Sequence, residues 1–219
     1  MSESIQDRLI KFYARNDRSV TINAAQGHFA TSNSHTNFYI DVTRLKVRIG
    51  EAKGAAKFLK SQLEGNVETI DTIVCLDETQ VLGALLGQEI EKGGFINNNN
   101  IHDTTYVIRP EVNSVNQFIF RENNRLAIEG KSVLVLVDTM TTGDTVKQAV
   151  ECINYYGGKV CAIAAIFSTK TEIDGIRVFT IFDDEDLPGY SAYETHNCPM
   201  CQKKIPLDAM VNGYGYAKL

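Results

Sequence analysis

Residues 133–145 read VLVLVDTMTTGDT, and their order decides the fold. Five consecutive apolar residues without polar alternation describe a strand covered on both faces, as in a parallel sheet with helices on either side. A carboxylate, Asp138, follows at the strand's end, and Thr141, Thr142, Gly143 and Thr145 then open a helical stretch. In such sheets ligands bind in the crevice above the carboxyl ends of the strands. A helix start offers unpaired N–H groups and the positive end of the dipole, and a glycine lets the backbone close on a ligand. Thr139, Met140, Thr141, Thr142, Gly143, Asp144 and Thr145 therefore read as a cradle for a phosphate monoester. Asp138 is set to accept hydrogen bonds from hydroxyls of the same ligand. Helix capping alone is the plainer reading, but a cap needs one hydroxyl and this stretch supplies three.

Outward from that stretch the chain alternates strand and helix. IDTIVCL (70–76), TTYVIR (104–109), VCAIAAIF (160–167) and RVFTIF (177–182) read as strands. Apolar spacing predicts helices over 47–63, 79–90 and 143–156, the last ended by Gly157-Gly158. SVTI and NFYIDV read as short strands around the polar turn TSNSHTN. Ser4, Ile5, Leu9, Ile10 and Phe12 predict an amphipathic helix capped by Ser4. The expected fold is α/β, a doubly wound, mainly parallel sheet flanked by helices. Residues 1–185 form its domain, with 1–45 as an N-terminal hood segment, and 186–219 form a C-terminal arm. GGFINNNN (93–100) reads as a loop. The connection 110–131 is long enough to act as a lid or clamp.

The 219 residues carry a net charge of −5, with 43% hydrophobic and 22% charged residues. That balance speaks against a broad nucleic-acid footprint, which clusters Lys and Arg on one face. The longest apolar runs are too short to span a bilayer, and the first residues include acids, so a soluble, cytoplasmic protein is expected. Five cysteines do not suggest a disulfide framework. Cys75, Cys152 and Cys161 fall on strand or helix faces and read as core residues. Cys198-x-x-Cys201 is half a zinc site, and four ligands are the rule. His196 with a residue of another subunit, a redox pair, or a reduced turn that packs the arm are its alternative readings. His28, His35 and His102 fall in polar turns and are expected to be solvated. Tyr190, Tyr193, Tyr214 and Tyr216 give the arm an aromatic character, suited to docking on the domain or a neighbouring subunit, or to stacking on a base.

The pattern is neither a Walker loop nor a dinucleotide fingerprint. VLVLVDTMTTGDT resembles the phosphoribosyl-pyrophosphate motif of type I phosphoribosyltransferases: an apolar strand, an acid, two variable positions, Thr-Thr-Gly and a nearby Thr. The resemblance extends over roughly residues 20–182 and points within the family to orotate phosphoribosyltransferase. GHFATSNSHTNFYID (27–41) resembles that enzyme's N-terminal segment, and VCLDETQVLGALLG (74–87) its pyrophosphate loop and following helix. Arg109 stands where the family's mobile catalytic loop begins. The resemblance implies transfer of a phosphoribosyl group from phosphoribosyl pyrophosphate to a nucleobase, with magnesium carried by the substrate, in a homodimer. Asp138 and Arg109 would take catalytic roles, residues 139–145 the 5′-phosphate, and Asp77, Glu78 and Thr79 the pyrophosphate. Ser32, His35, Tyr39 and Lys170 would border the base.

The chain departs from the family where cations are usual. Val137 replaces the first of two strand-tip acids, and LDETQ (76–80) has no Lys. The connection after Arg109 has no Lys or His up to Phe120, Ser32 takes a basic position, and STK (168–170) stands where an Arg is usual. A charge-assisted hydrogen bond contributes about 1.5–3 kcal/mol, so each loss matters. Two readings follow: an enzyme that recruits Arg109, Arg121, Arg125, Lys131 or Lys170, or a non-catalytic sensor of phosphoribosyl pyrophosphate or a nucleotide.

Overall fold

The structure is a computed structural model that describes residues 4–99 and 102–219; Asn100 of the asparagine run lies outside them. Its first half contains β1 (Ile10–Tyr13), β2 (Thr21–Ala30), β3 (His35–Asp41), α1 (Thr43–Val47), α2 (Ile49–Leu63), β4 (Thr72–Cys75), α3 (Gln80–Glu91) and β5 (Tyr106–Ile108). There follow β6 (Glu111–Val112), β7 (Phe118–Ile119), β8 (Ser132–Met140), α4 (Asp144–Tyr155), β9 (Lys159–Ser168), β10 (Glu172–Ile173) and β11 (Ile176–Phe182). The chain closes with β12 (Ala192–Tyr193), α5 (Pro199–Gln202), β13 (Ala209–Asn212) and β14 (Gly215–Lys218).

One sheet runs β10-β11-β9-β8-β4-β5, parallel except for the β10–β11 hairpin. The two faces of β8 show why its sequence is apolar throughout. Leu134 and Leu136 enter the core beneath α2 and α3, while Val133, Val135 and Val137 enter the core beneath α4. Both faces are dry, so alternation would bury a polar group on one of them. Among the described residues, no helix is long and apolar enough to cross a membrane.

A second sheet, β12-β3-β2-β13-β14 with β1 also on β2, is built from both ends of the chain. β13 pairs in parallel with β2 at Ala209↔Phe29 and Met210↔Ala30, and β12 pairs with β3. Residues 192–218 thus share one sheet with the N-terminal hood.

Three sequence expectations change in the structure. Ser4 closes a single turn, its hydroxyl donating to Asp7 Oδ2 at 2.7 Å, and the chain then continues as β1 instead of a helix. A short isolated helix is marginal in water, whereas the edge of β2 supplies a ladder from Ile10↔Ala24 to Tyr13↔Thr21. The helix expected over 47–63 begins earlier and breaks at Arg48, which is extended (φ −99°, ψ 114°). That break leaves Leu45 and Lys46 of α1 buried. The connection 110–131 forms the β6–β7 hairpin and a 3₁₀ segment, Glu122–Ala127, with Phe120 edge-on to Tyr156 at 5.5 Å.

Burial pushes the Cys75 thiol up to about 12. Cys152 and Cys161 donate to the carbonyls of Phe118 and Val133, each at 3.3 Å.

Candidate active site at the strand tips

β8 runs past the apolar stretch, pairing through Met140↔Ser168, so Asp138 lies inside the strand and the turn begins at Thr141. Gly143 is the N-cap of α4, with φ 88° and no side-chain cap hydrogen bond. Only glycine adopts that conformation without strain. The Thr142 hydroxyl donates to Asp144 Oδ2 at 2.9 Å and accepts the Asp144 N–H at 3.4 Å, a long contact. The remaining first-turn N–H groups of this 12-residue helix are left for a ligand, with the dipole favouring an anion.

Beneath this turn lies a buried ion pair. Asp138 and Lys46 are each 3% exposed, and Lys46 Nζ donates to Asp138 Oδ2 at 2.8 Å and to the Asp77 carbonyl at 3.0 Å. It also donates to the carbonyl of Gly213. The other Asp138 oxygen, Oδ1, accepts the Thr139 N–H. A buried ammonium is costly unless its protons are matched; here three acceptors take them. Asp77 stands beside the pair. Burial first, then the Asp138 charge, push its carboxyl up from 3.8 to about 7, although Lys46 opposes the shift. Asp77 and Glu78 both hold positive φ, 50° and 60°, conformations that cost a non-glycine residue about 1–2 kcal/mol each. They lie between β4 and α3, so neither the sheet nor the helix uses their N–H groups.

The hood covers this floor and leaves a cavity of about 190 Å³. Its lining includes residues 137–146, Asp77, and the hairpin turn Thr31–Asn33, whose shape is fixed by Ser34 N–H donating to Thr31 Oγ1 at 2.9 Å. Phe38, Tyr39, Phe167 and Tyr190 give one wall an aromatic surface; Tyr190 lies edge-on to Phe167 at 4.9 Å. The end of β13 contributes Asn212 and the turn after it Gly213. Gly213 is pressed against Asp77, where a Cβ would come within 3.0 Å of the aspartate's own Cβ. Among the described residues, no Lys or Arg lines the cavity.

No family model matches the chain. Orotate phosphoribosyltransferase of Thermotoga maritima is 26% identical over 196 residues, covering 84% of this chain and 89% of the relative. That of Caldicellulosiruptor bescii is 29% identical over 112 residues, covering 47% of this chain and 57% of the relative. Among solved structures, Mycobacterium tuberculosis orotate phosphoribosyltransferase superposes with a TM-score of 0.51 at 15% identity, over 75% of this chain and 91% of the other. A Corynebacterium diphtheriae phosphoribosyltransferase gives 0.51 at 19% identity, over 75% and 90%. Leishmania donovani UMP synthase gives 0.55 at 16% identity, over 75% of this chain but 34% of that longer one. The fold is that of a type I phosphoribosyltransferase. In sequence the chain is similar to orotate phosphoribosyltransferases, at 26% identity over most of its length.

On this phosphoribosyltransferase fold, the expected site residues divide into two groups. Asp138, Thr139, Met140, Thr141, Thr142, Gly143, Asp144, Thr145, Asp77, Ser32 and Tyr39 all border the cavity. Six others do not. The Thr79 hydroxyl is buried and donates to the Leu76 carbonyl at 2.7 Å. Glu78 accepts from Arg109 and from the Tyr214 hydroxyl, each at 3.2 Å, so both it and Arg109 are at the rim. Lys170 is exposed, with its backbone N–H on Ser168 Oγ at 2.9 Å. His35, 7% exposed, is neither solvated nor in the cavity lining; it meets His28 (1% exposed), Cys198 and Cys201. His196 is not among them and pairs with Glu194 at 3.2 Å.

Cations proposed as substitutes are engaged elsewhere. Arg121 holds both oxygens of Glu111 at 2.7 and 2.6 Å, and Arg125 bonds Glu129 at 2.9 Å. The cation that does reach the strand tips is Lys46, which sequence reasoning missed. It lies in a short segment that the helical spacing from residue 47 onward left out, and nothing local marks it.

Proposed function

We propose that this chain transfers the phosphoribosyl group of phosphoribosyl pyrophosphate to a nucleobase, orotate first among the candidates, and releases pyrophosphate. The observation that carries this reading is one cavity bounded by the glycine start of α4, the Asp138 carboxylate and an aromatic wall. A 5′-phosphate, a ribose and a planar base require those three surfaces in that order. In the reaction the C1–O bond to pyrophosphate breaks as the C1–N bond to the base forms, through an oxocarbenium-like state. Catalysis is then mainly the placement of charge and the exclusion of water. The N–H groups of residues 143–145 hold the phosphate, and Asp138, fixed by Lys46, accepts the ribose hydroxyls. The N–H groups at Asp77 and Glu78 border the pyrophosphate, with Arg109 at the rim.

A cavity bordered by Asp77, Asp138 and Asp144 and by no free cation suits a polyanion that arrives with magnesium. Asp77 and Asp138 are the residues fitted to face that ion, which would offset the charge developing on pyrophosphate. Because Asp77 lies near 7, affinity for the magnesium-loaded donor should rise as pH increases from about 6 to 8 and the carboxyl gives up its proton. The same raised value lowers the stability of the ligand-free protein as pH climbs from about 4 towards 7, since the folded state favours the protonated carboxyl. Asp77→Asn should flatten both profiles; titration calorimetry across this range measures the first, and an unchanged slope would remove Asp77 from the ion site.

The lack of a Lys or Arg in the cavity lining, among the described residues, favours one further reading, a sensor that binds the donor without turning it over. One assay separates the two. The protein is incubated with phosphoribosyl pyrophosphate, magnesium and each nucleobase in turn, and pyrophosphate is measured. Release with orotate is expected; release with another base changes the acceptor only, and tight binding without release identifies the sensor. On the enzymatic reading we expect a cytoplasmic homodimer that needs no nucleic acid or membrane.

A further inference from the structure

The hood carries a second constellation, independent of the transfer reaction proposed above. We infer that His28, His35, Cys198 and Cys201 form a structural zinc site. One ligand atom from each lies within 4.8 Å of all the others. They come from β2, β3 and the start of α5, so the sheet and the C-terminal turn had to fold together to bring them to one point.

The distances match a tetrahedral ion. With zinc about 2.3 Å from sulfur and 2.0–2.1 Å from nitrogen, tetrahedral edges are roughly 3.6 Å for S···N and 3.3 Å for N···N. Cys198 Sγ lies 3.5 Å from His28 Nε2, Cys201 Sγ lies 3.7 Å from the same atom, and Cys201 Sγ lies 3.3 Å from His35 Nδ1. The two imidazole nitrogens are 3.0 Å apart. Both cysteines are free thiols, so no disulfide accounts for their convergence.

The supporting contacts are also those of a ligated histidine. His28 Nδ1 lies 2.8 Å from the carbonyl of Ile205. A carbonyl only accepts, so Nδ1 carries the proton and the Nε2 lone pair is turned to the centre of the cluster. Two thiolates and two neutral imidazoles around a divalent ion sum to zero charge, which suits a site where three of four ligands are buried. Sulfur–nitrogen tetrahedral sites select zinc over harder ions, and four protein ligands leave no open position for catalysis.

The ion would fasten the C-terminal segment to the hood. Seven residues beyond Cys201, Asp208 accepts from the His28 N–H at 2.8 Å and from Arg8 at 2.6 Å. β13 starts at the next residue and leads to Asn212 and Gly213 in the cavity wall.

The test is metal analysis of the full-length protein purified without chelators from zinc-supplemented medium. We expect one zinc per chain, released by a thiol-specific mercurial. Cobalt substituted into the wild type should give intense visible bands of a tetrahedral ion and thiolate charge transfer, a readout that does not depend on variants folding. Cys198→Ser and His28→Gln should lose the metal, and His196→Ala should keep it. Wild-type protein without stoichiometric zinc, an octahedral cobalt spectrum, or zinc loss in His196→Ala would each overturn the site.

Discussion

A Lys46→Met variant is expected to lose about 3–5 kcal/mol of folding stability, because it leaves Asp138 charged and buried without its partner. That is a large share of a domain's total of about 5–15 kcal/mol. Lys46 is 3% exposed, as is Asp138, so solvent cannot take over the missing interaction. The pair Lys46→Met with Asp138→Asn removes both charges from the interior and should recover most of the loss, since replacing a buried pair by neutral groups of similar size is often nearly neutral. Guanidinium denaturation of the wild type and the two variants measures this. The recovered double variant then isolates function: folded, but without the carboxylate that accepts the ribose hydroxyls, it should bind the phosphoribosyl donor poorly. A single Lys46→Met variant within about 1 kcal/mol of wild type would mean that the pair contributes no more than an exposed one.

The second large effect is on binding. Thr142→Glu should weaken affinity for phosphoribosyl pyrophosphate by at least about 100-fold, equivalent to 2.7 kcal/mol, because it sets a carboxylate in the phosphate cradle, where like charges cost several kcal/mol. The fold should survive, because Thr142 is partly exposed and a negative side chain at the start of α4 is favoured by the helix dipole. Thr142→Ser, which keeps the hydroxyl, should bind as wild type does. Isothermal titration of the donor with magnesium, alongside thermal melts, separates lost binding from lost structure. Unchanged affinity in the folded Thr142→Glu variant would end the assignment of residues 139–145 to the phosphate.

What could be read from the chain depended on how far apart the cooperating residues lie. The strand 133–137 was legible because its two-sided burial is written in consecutive residues, and the turn after it because its acid, hydroxyls and glycine are contiguous. Lys46 was not legible, since its meaning comes from acceptors at Asp77, Asp138 and Gly213. His28 and His35 looked like turn residues for the same reason: the cysteines that meet them are about 170 positions away. The N-terminal helix failed differently, because the apolar spacing of Ile5, Leu9, Ile10 and Phe12 cannot foresee a free edge on β2. The occupied state of Arg121 and Arg125, by contrast, was within reach of the sequence. Their carboxylate partners are 10 or fewer residues away, as close as helical i,i+4 pairs in the case of Glu129.

The parallel pairing of β13 with β2 has a consequence for biosynthesis. A growing polypeptide can assemble the β4–β11 layer early, but its first strands must wait for residues near 210 before their sheet is complete. Such distant contacts fold slowly, and an unfinished sheet edge is open to wrong partners meanwhile. On the ribosome, then, a nascent chain should gain the capacity to hold its ligand only when the β13–β14 hairpin emerges.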